Sequence, residues 1–192
     1  MNIGLYFGSF NPIHNGHLIV ANYIVNNTPL DRVWLVVSPL NPFKKNSSLL
    51  NEYDRLHLVH IATEDDPKIS ANNIEFSLPR PSYTIHTLAY LKEKYPEHAF
   101  SIIMGSDGLE NLHSWKNSDE IISNYEIYVY PRPGFEPIDI PKAKLSFVEA
   151  PQISISSTLI RKLLSAGKSI RYFVPDRVFE EIEKSGYYKK NI

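Results

Sequence analysis

The chain has no cysteine among its 192 residues. That excludes disulfides, thiolate metal sites and a cysteine nucleophile, and it suits a reducing compartment. No apolar run approaches the roughly 20 residues that a membrane-spanning helix needs. The opening MNIGLYFGSF lacks the basic start and apolar core of a secretory signal. The expectation is a cytoplasmic protein with no membrane partner. Excess charge is missing too. Twenty Lys and Arg stand against 21 Asp and Glu, a formal net charge of −1, so no overall field draws the chain to nucleic acid. What is present, 43% hydrophobic and 21% charged residues, is ordinary for a globular protein. The length fits one domain, 1–192, with a full core. Nothing in the composition decides between a monomer and a homo-oligomer.

Apolar segments of two periods alternate along the chain. Short, buried strands are predicted at Ile3–Phe7, Val33–Val37, Phe100–Met104, Glu126–Tyr130 and Leu145–Val148. Residues 69–78 also read as extended. Helices are predicted at Leu18–Val25, after a cap at Asn51, at Thr84–Tyr95 ahead of Pro96, at Ser157–Ala166 and at Pro175–Ser185. Strand–helix alternation implies an α/β, Rossmann-like, doubly wound and mainly parallel sheet with helices on both faces. Ligands of such sheets bind at the carboxyl ends of the strands, near the switch in strand order. Two proline-rich segments, 38–48 and 131–142, are expected to be mobile loops, and the C-terminal YYKKNI a solvated tail.

One segment at such an end stands out: GSFNPIHNGH, residues 8–17. His14 and His17 have three readings. Histidines without a role are the plainest. A zinc site needs a third protein ligand, and no acidic residue stands nearby at ligand spacing, so no protein-held metal is expected. The third reading is phosphate binding. Gly8 permits close backbone approach, Ser9 and Phe10 present N–H groups, and His17 falls in the first turn of a helix, where amides and dipole favour an anion. Far along the chain, Ser156, Ser157 and Thr158 open another helix, with Arg161 one turn further on. One hydroxyl is enough to cap a helix. Three followed by an arginine suggest an anion held on the helix start.

These two segments resemble the HxGH and ISSTxxR signatures of the nucleotidyltransferases. SYTIHTL (82–88), GSD (105–107), RPG (132–134) and GKSIRYFVPD (167–176) resemble further segments of one branch, the bacterial nicotinate-mononucleotide adenylyltransferases, in the same order. Asn11 and His86 stand where that branch usually has aspartate, and NPFKK replaces its Pro-Pro-His-Lys. The resemblance implies transfer of AMP from ATP to the 5′-phosphate of nicotinate mononucleotide, with Mg²⁺ carried on the ATP phosphates. It implies that His14 steadies the α-phosphate, His17 the bridging or β-phosphate, and Arg161 the β- and γ-phosphates. Gly8, Ser9, Phe10, Ser156, Ser157 and Thr158 would complete the phosphate cradle. Asp107 would meet the ATP ribose, Gly105 would border the ATP, and Arg132 would meet the adenine side. Lys44, or its neighbour Lys45, Tyr83, Thr84 and Trp115 would hold the mononucleotide. On the residues alone, Trp115 reads first as a core residue, and Asp107 equally suits a helix cap. The rival activities are adenylyl transfer to the amide mononucleotide or to phosphopantetheine, although the latter enzymes usually carry threonine at the place of His14. A non-catalytic nucleotide-binding module is the rival outside enzymes.

Overall fold

The structure is a computed structural model that describes residues 1–40, 49–135 and 138–189. Six parallel strands form one sheet: β1 (Asn2–Gly8), β2 (Arg32–Val37), β3 (Ile69–Asn72), β4 (Ala99–Gly105), β5 (Glu126–Tyr130) and β6 (Lys144–Phe147). Their spatial order is β3-β2-β1-β4-β5-β6, with every pair parallel. The order reverses between β1 and β4, which creates a crevice at their carboxyl ends. Gly8 and Gly105 close those two strands.

Side chains alternate across the sheet and build a core on each face. Tyr6, Val33, Leu35, Val37 and Ile103 pack on one side, beneath α1 (Asn15–Asn27), α2 (Glu52–Thr63), α6 (Ser157–Ser165) and α7 (Asp176–Ser185). Ile3, Leu5, Val36, Ile102 and Met104 pack on the other. That face is covered by α3 (Thr84–Lys94), α4 (Ser106–Glu110) and α5 (Ser118–Asn124).

Three sequence expectations are corrected. Residues 69–78 are extended only through β3; Ile74–Ser77 winds into a 3₁₀ turn, which carries Glu75 inward to 2% exposure. The short helices α4 and α5 carry too few turns to show a period, and no helix was predicted there. The C-terminal tyrosines are packed rather than solvated. The Tyr187 hydroxyl donates to Asp54 at 3.0 Å, and Tyr188 lies against the core with its hydroxyl buried. The segment expected as a loop from 131 is tied where it is described. The Ser106 hydroxyl donates to the Phe135 carbonyl and accepts from the Arg132 N–H. Among the described residues, no helix is long and apolar enough to cross a membrane.

Candidate active site

The loop from β1 to α1 is shaped by three local constraints. A side chain at Gly8 would collide with the Phe10 ring at 2.8 Å. Phe10 itself is 2% exposed and adopts a positive φ of 42°, which a bulky residue tolerates only when its surroundings hold it. Its ring meets Tyr6 and His17 edge-on. The loop is also anchored from outside. Arg55 of α2 is fully buried and donates to the carbonyls of Ser9, Ser38, Pro39 and Leu50. One guanidinium thus joins the loops that follow β1 and β2.

His14 is the N-cap of α1 and His17 its third residue. Their contacts are reciprocal. His17 N–H donates to His14 Nδ1, and His14 N–H to His17 Nδ1, each at 3.3 Å. This is a capping box built from two imidazoles in place of a hydroxyl and a carboxylate. With both Nδ1 atoms accepting, the neutral rings carry their protons on Nε2. The rings stack with centroids 3.6 Å apart. Gly16 leaves room for this stack, since a Cβ there would sit 3.1 Å from His14 Nδ1. Burial, helped by the positive charge of Arg132, lowers the His14 pKa to about 4. His14 is therefore a neutral hydrogen-bond donor near pH 7.

The opening of α1 differs from the sequence expectation. Asn15 N–H is bonded to the Phe173 carbonyl, His17 N–H to His14, and Leu18 N–H to the His14 carbonyl. Most of the first-turn amides thus have partners, and the donors that this end can offer an anion are chiefly imidazole N–H groups. The opening of α6 is freer. Ser156 caps it by accepting from Leu159 N–H at 3.2 Å. Among the described residues, the N–H groups of Ser157 and Thr158 have no acceptor. The Ser157 hydroxyl donates to the Pro12 carbonyl at 2.9 Å. Arg161 donates to the Asn11 carbonyl at 2.7 Å and to the Thr158 hydroxyl at 3.3 Å. These bonds lash α6 to the histidine loop and leave further guanidinium N–H groups for a ligand.

All twelve residues assigned to ATP from the sequence border one cavity of about 730 Å³: Gly8, Ser9, Phe10, His14, His17, Gly105, Asp107, Arg132, Ser156, Ser157, Thr158 and Arg161. Asp107 lies in the first turn of α4 and is not its cap, which is Gly105. Its carboxylate faces Arg132 at 3.7 Å. A Cβ at Gly105 would meet both side chains, at 2.4 and 2.6 Å. A second cavity, of about 140 Å³, is bordered by Tyr83, Thr84 and Trp115, with Glu75, Ser82 and Lys116. The cavities adjoin, sharing Phe7, Gly8 and Trp115. Lys44, Lys45, Asn41 and Phe43 lie outside the described residues. Asn11 is buried, and its side-chain oxygen accepts from Leu50 N–H. His86 is exposed, edge-on to Tyr83. No group of three His, Asp or Glu able to hold a metal occurs among the described residues.

Sequence reasoning missed Gly16, Arg55 and Glu75, and also the buried pair Tyr6–Tyr130, whose hydroxyls lie 2.8 Å apart. Both tyrosines border the larger cavity. Burial pushes their pKa values up, so the pair acts as neutral packing behind His17, with Tyr6 edge-on to that ring.

The sequence pattern of the cytidylyltransferase-like family matches residues 5–163. A probable nicotinate-nucleotide adenylyltransferase of Flavobacterium psychrophilum is 51% identical over 193 residues, covering 99% of this chain and 100% of its own. One from Cytophaga hutchinsonii is 51% identical over 189 residues and covers 98% of each chain. Among solved structures, Plasmodium falciparum nicotinic acid mononucleotide adenylyltransferase complexed with NaAD shares 25% identity, with a TM-score of 0.82 over 97% of both chains. A further structure of that enzyme, complexed with APC, gives a TM-score of 0.80. At half identity over almost its full length, this chain belongs to the cytidylyltransferase-like nucleotidyltransferases and, within them, to the nicotinate-nucleotide adenylyltransferase family.

Proposed function

We propose that the chain transfers the adenylyl group of ATP to the 5′-phosphate of nicotinate mononucleotide, a step of NAD biosynthesis. A phosphate oxygen of the mononucleotide attacks the α-phosphorus, the bond to the bridging oxygen breaks, and pyrophosphate leaves. The nucleophile is already anionic near neutral pH, so no general base is required. The barrier lies in bringing anions together in line, and the protein's task is positioning and charge stabilisation.

The observation that carries this reading is the stacked imidazole pair bordering the larger cavity, which adjoins a smaller one lined by Tyr83 and Trp115. The pair's Nε2–H donors are fixed by the reciprocal contacts of the Nδ1 atoms. His14 donates to the α-phosphate and His17 to the bridging or β-phosphate, where charge grows as pyrophosphate departs. Arg161, with Ser156, Ser157 and Thr158 at the start of α6, grips the β- and γ-phosphates. Asp107 accepts from the ATP ribose, and Arg132 borders the adenine. Lys44 is assigned to the incoming phosphate from the sequence alone. Tyr83, Thr84 and Trp115 receive the pyridine ring. The donor set does not suit a protein-held Mg²⁺: His14 and His17 already use Nδ1, and Asp107, the one carboxylate bordering the larger cavity among the described residues, faces Arg132. The ion enters as MgATP, on phosphate oxygens and water, and neutralises triphosphate charge.

The test is pyrophosphate release from MgATP with nicotinate mononucleotide, its amide and phosphopantetheine side by side. The acid should be the preferred acceptor. His17→Ala should lower kcat about 10²–10³-fold, as loss of one oxyanion donor does, and weaken ATP binding far less. Retention of half the wild-type kcat would remove His17 from this role.

A further inference from the structure

The smaller cavity contains an acidic residue that neither signature includes. Glu75 is 2% exposed and borders the cavity. A carboxylate is seldom buried so deeply without a partner, yet no cation pairs with it among the described residues. It accepts hydroxyls instead. Ser82 Oγ donates to Oε2 at 2.8 Å and Thr87 Oγ1 to Oε1 at 3.0 Å. Burial raises its pKa, and these hydroxyls oppose the rise.

The two hydroxyls come from two segments: the approach to α3 and the first turn of α3. Glu75 is thus a junction beneath the helix opening. That opening has no side-chain cap. The N–H groups of Thr84 and Ile85 have no acceptor among the described residues, and Thr84 borders the cavity. A helix start normally takes its order from a cap. Here the order comes from below, and the amides stay available to a ligand.

We propose that Glu75 is a positioning residue for the mononucleotide: by holding Ser82 and Thr87 together it keeps the first turn of α3, with its open Thr84 and Ile85 N–H groups, in place beside the cavity, and so sets the preference for the pyridine carboxylate over the carboxamide. This rests on the acceptor assigned above. A carboxylate accepts from both amides, whereas a carboxamide turns an NH₂ toward one of them. That discrimination requires the first turn to be held still.

The experiment is steady-state kinetics with both mononucleotides on Glu75→Gln. Glutamine keeps the size but replaces one acceptor oxygen with a donor, so one hydroxyl must reverse its direction and the contacts lose their charge assistance. The KM for nicotinate mononucleotide should rise about tenfold, the difference between a charge-assisted and a neutral hydrogen bond. The acid-to-amide ratio of kcat/KM should fall by about the same factor, with the KM for ATP within about twofold of wild type. Thr87→Val should also lower the ratio, while Thr87→Ser, which keeps the hydroxyl, should preserve it. If Glu75→Gln does not fold, the two Thr87 variants decide the matter. An unchanged ratio, with all parameters and Tm falling together, would overturn the proposal. A raised ratio would overturn it too, because it would mean that the carboxylate repels the acid. A wild-type enzyme that uses neither mononucleotide would instead sink the acceptor assignment, before any variant is made.

Discussion

His14 performs three tasks that are usually given to separate residues. It caps α1, it fixes the tautomer of His17, and it offers Nε2–H to the crevice. The first needs a neutral ring. Two imidazolium rings stacked at 3.6 Å would repel each other, and a protonated Nδ1 could no longer accept from His17. Its pKa of about 4 in the folded protein has a signed consequence for stability. An unfolded histidine titrates near 6.5, so between pH 6.5 and about 4 the unfolded chain holds the extra proton. Stability is fully present above pH 6.5 and declines as pH falls to about 4, by on the order of 3 kcal/mol from this group. His14→Asn keeps a capping side chain but cannot titrate. Urea unfolding across this range should show a wild-type slope against pH steeper by about one proton than that of the variant. Equal slopes would mean that His14 titrates as an ordinary surface histidine.

At the scale of elements, the site is a joint between the β1–α1 loop and α6. Arg161 and Ser157 bond to main-chain carbonyls of that loop, those of Asn11 and Pro12. Arg161 therefore has a structural duty beside its proposed phosphate contact. A lysine supplies a point charge and cannot serve the carbonyl, the Thr158 hydroxyl and an anion together. Arg161→Lys should cost about 1 kcal/mol of stability through the lost loop bond and lower kcat/KM for ATP at least tenfold. Wild-type kinetics in that variant would leave Arg161 only its loop contact. The elements also show what was legible beforehand. Histidines, serines and an arginine at fixed offsets beside a turn or helix start are local features, and the chain order reveals them. Glu75 was hidden because the polar–apolar alternation through 69–78 looks like a strand, and a 3₁₀ turn breaks that pattern. The Tyr6–Tyr130 contact spans 124 positions, and Arg55 is recognisable only when the carbonyls of Ser9, Ser38 and Pro39, distant in the chain, join that of Leu50 around it. Long-range polar junctions of this kind leave no periodic trace.

At the scale of the whole molecule, the strand order places both cavities at one crevice. Because β1 lies between β2 and β4, its end faces the ground beneath α3 on one side and the α4–α6 side on the other. Gly8 stands at the border with Phe7 and Trp115. Trp115 is half-buried against the core of the α3 face, so part of the ring packs as a core residue and the rest is left for the stacking proposed above. Its place between the cavities distinguishes it from Glu75. An aromatic face attracts a pyridine ring whatever group the ring bears, since stacking responds to the ring and not to whether a carboxylate or carboxamide is attached. Trp115→Ala should therefore raise the KM of both mononucleotides by roughly threefold to tenfold, the range expected for one lost aromatic contact. The acid-to-amide ratio should stay within about twofold of wild type. Measured beside Glu75→Gln on the same two substrates, the variants should separate affinity from selectivity: one lowers both activities together, the other changes their ratio. A collapse of the ratio in Trp115→Ala would mean that the indole fixes the carboxylate end of the ring, and that the α3 amides do not act alone.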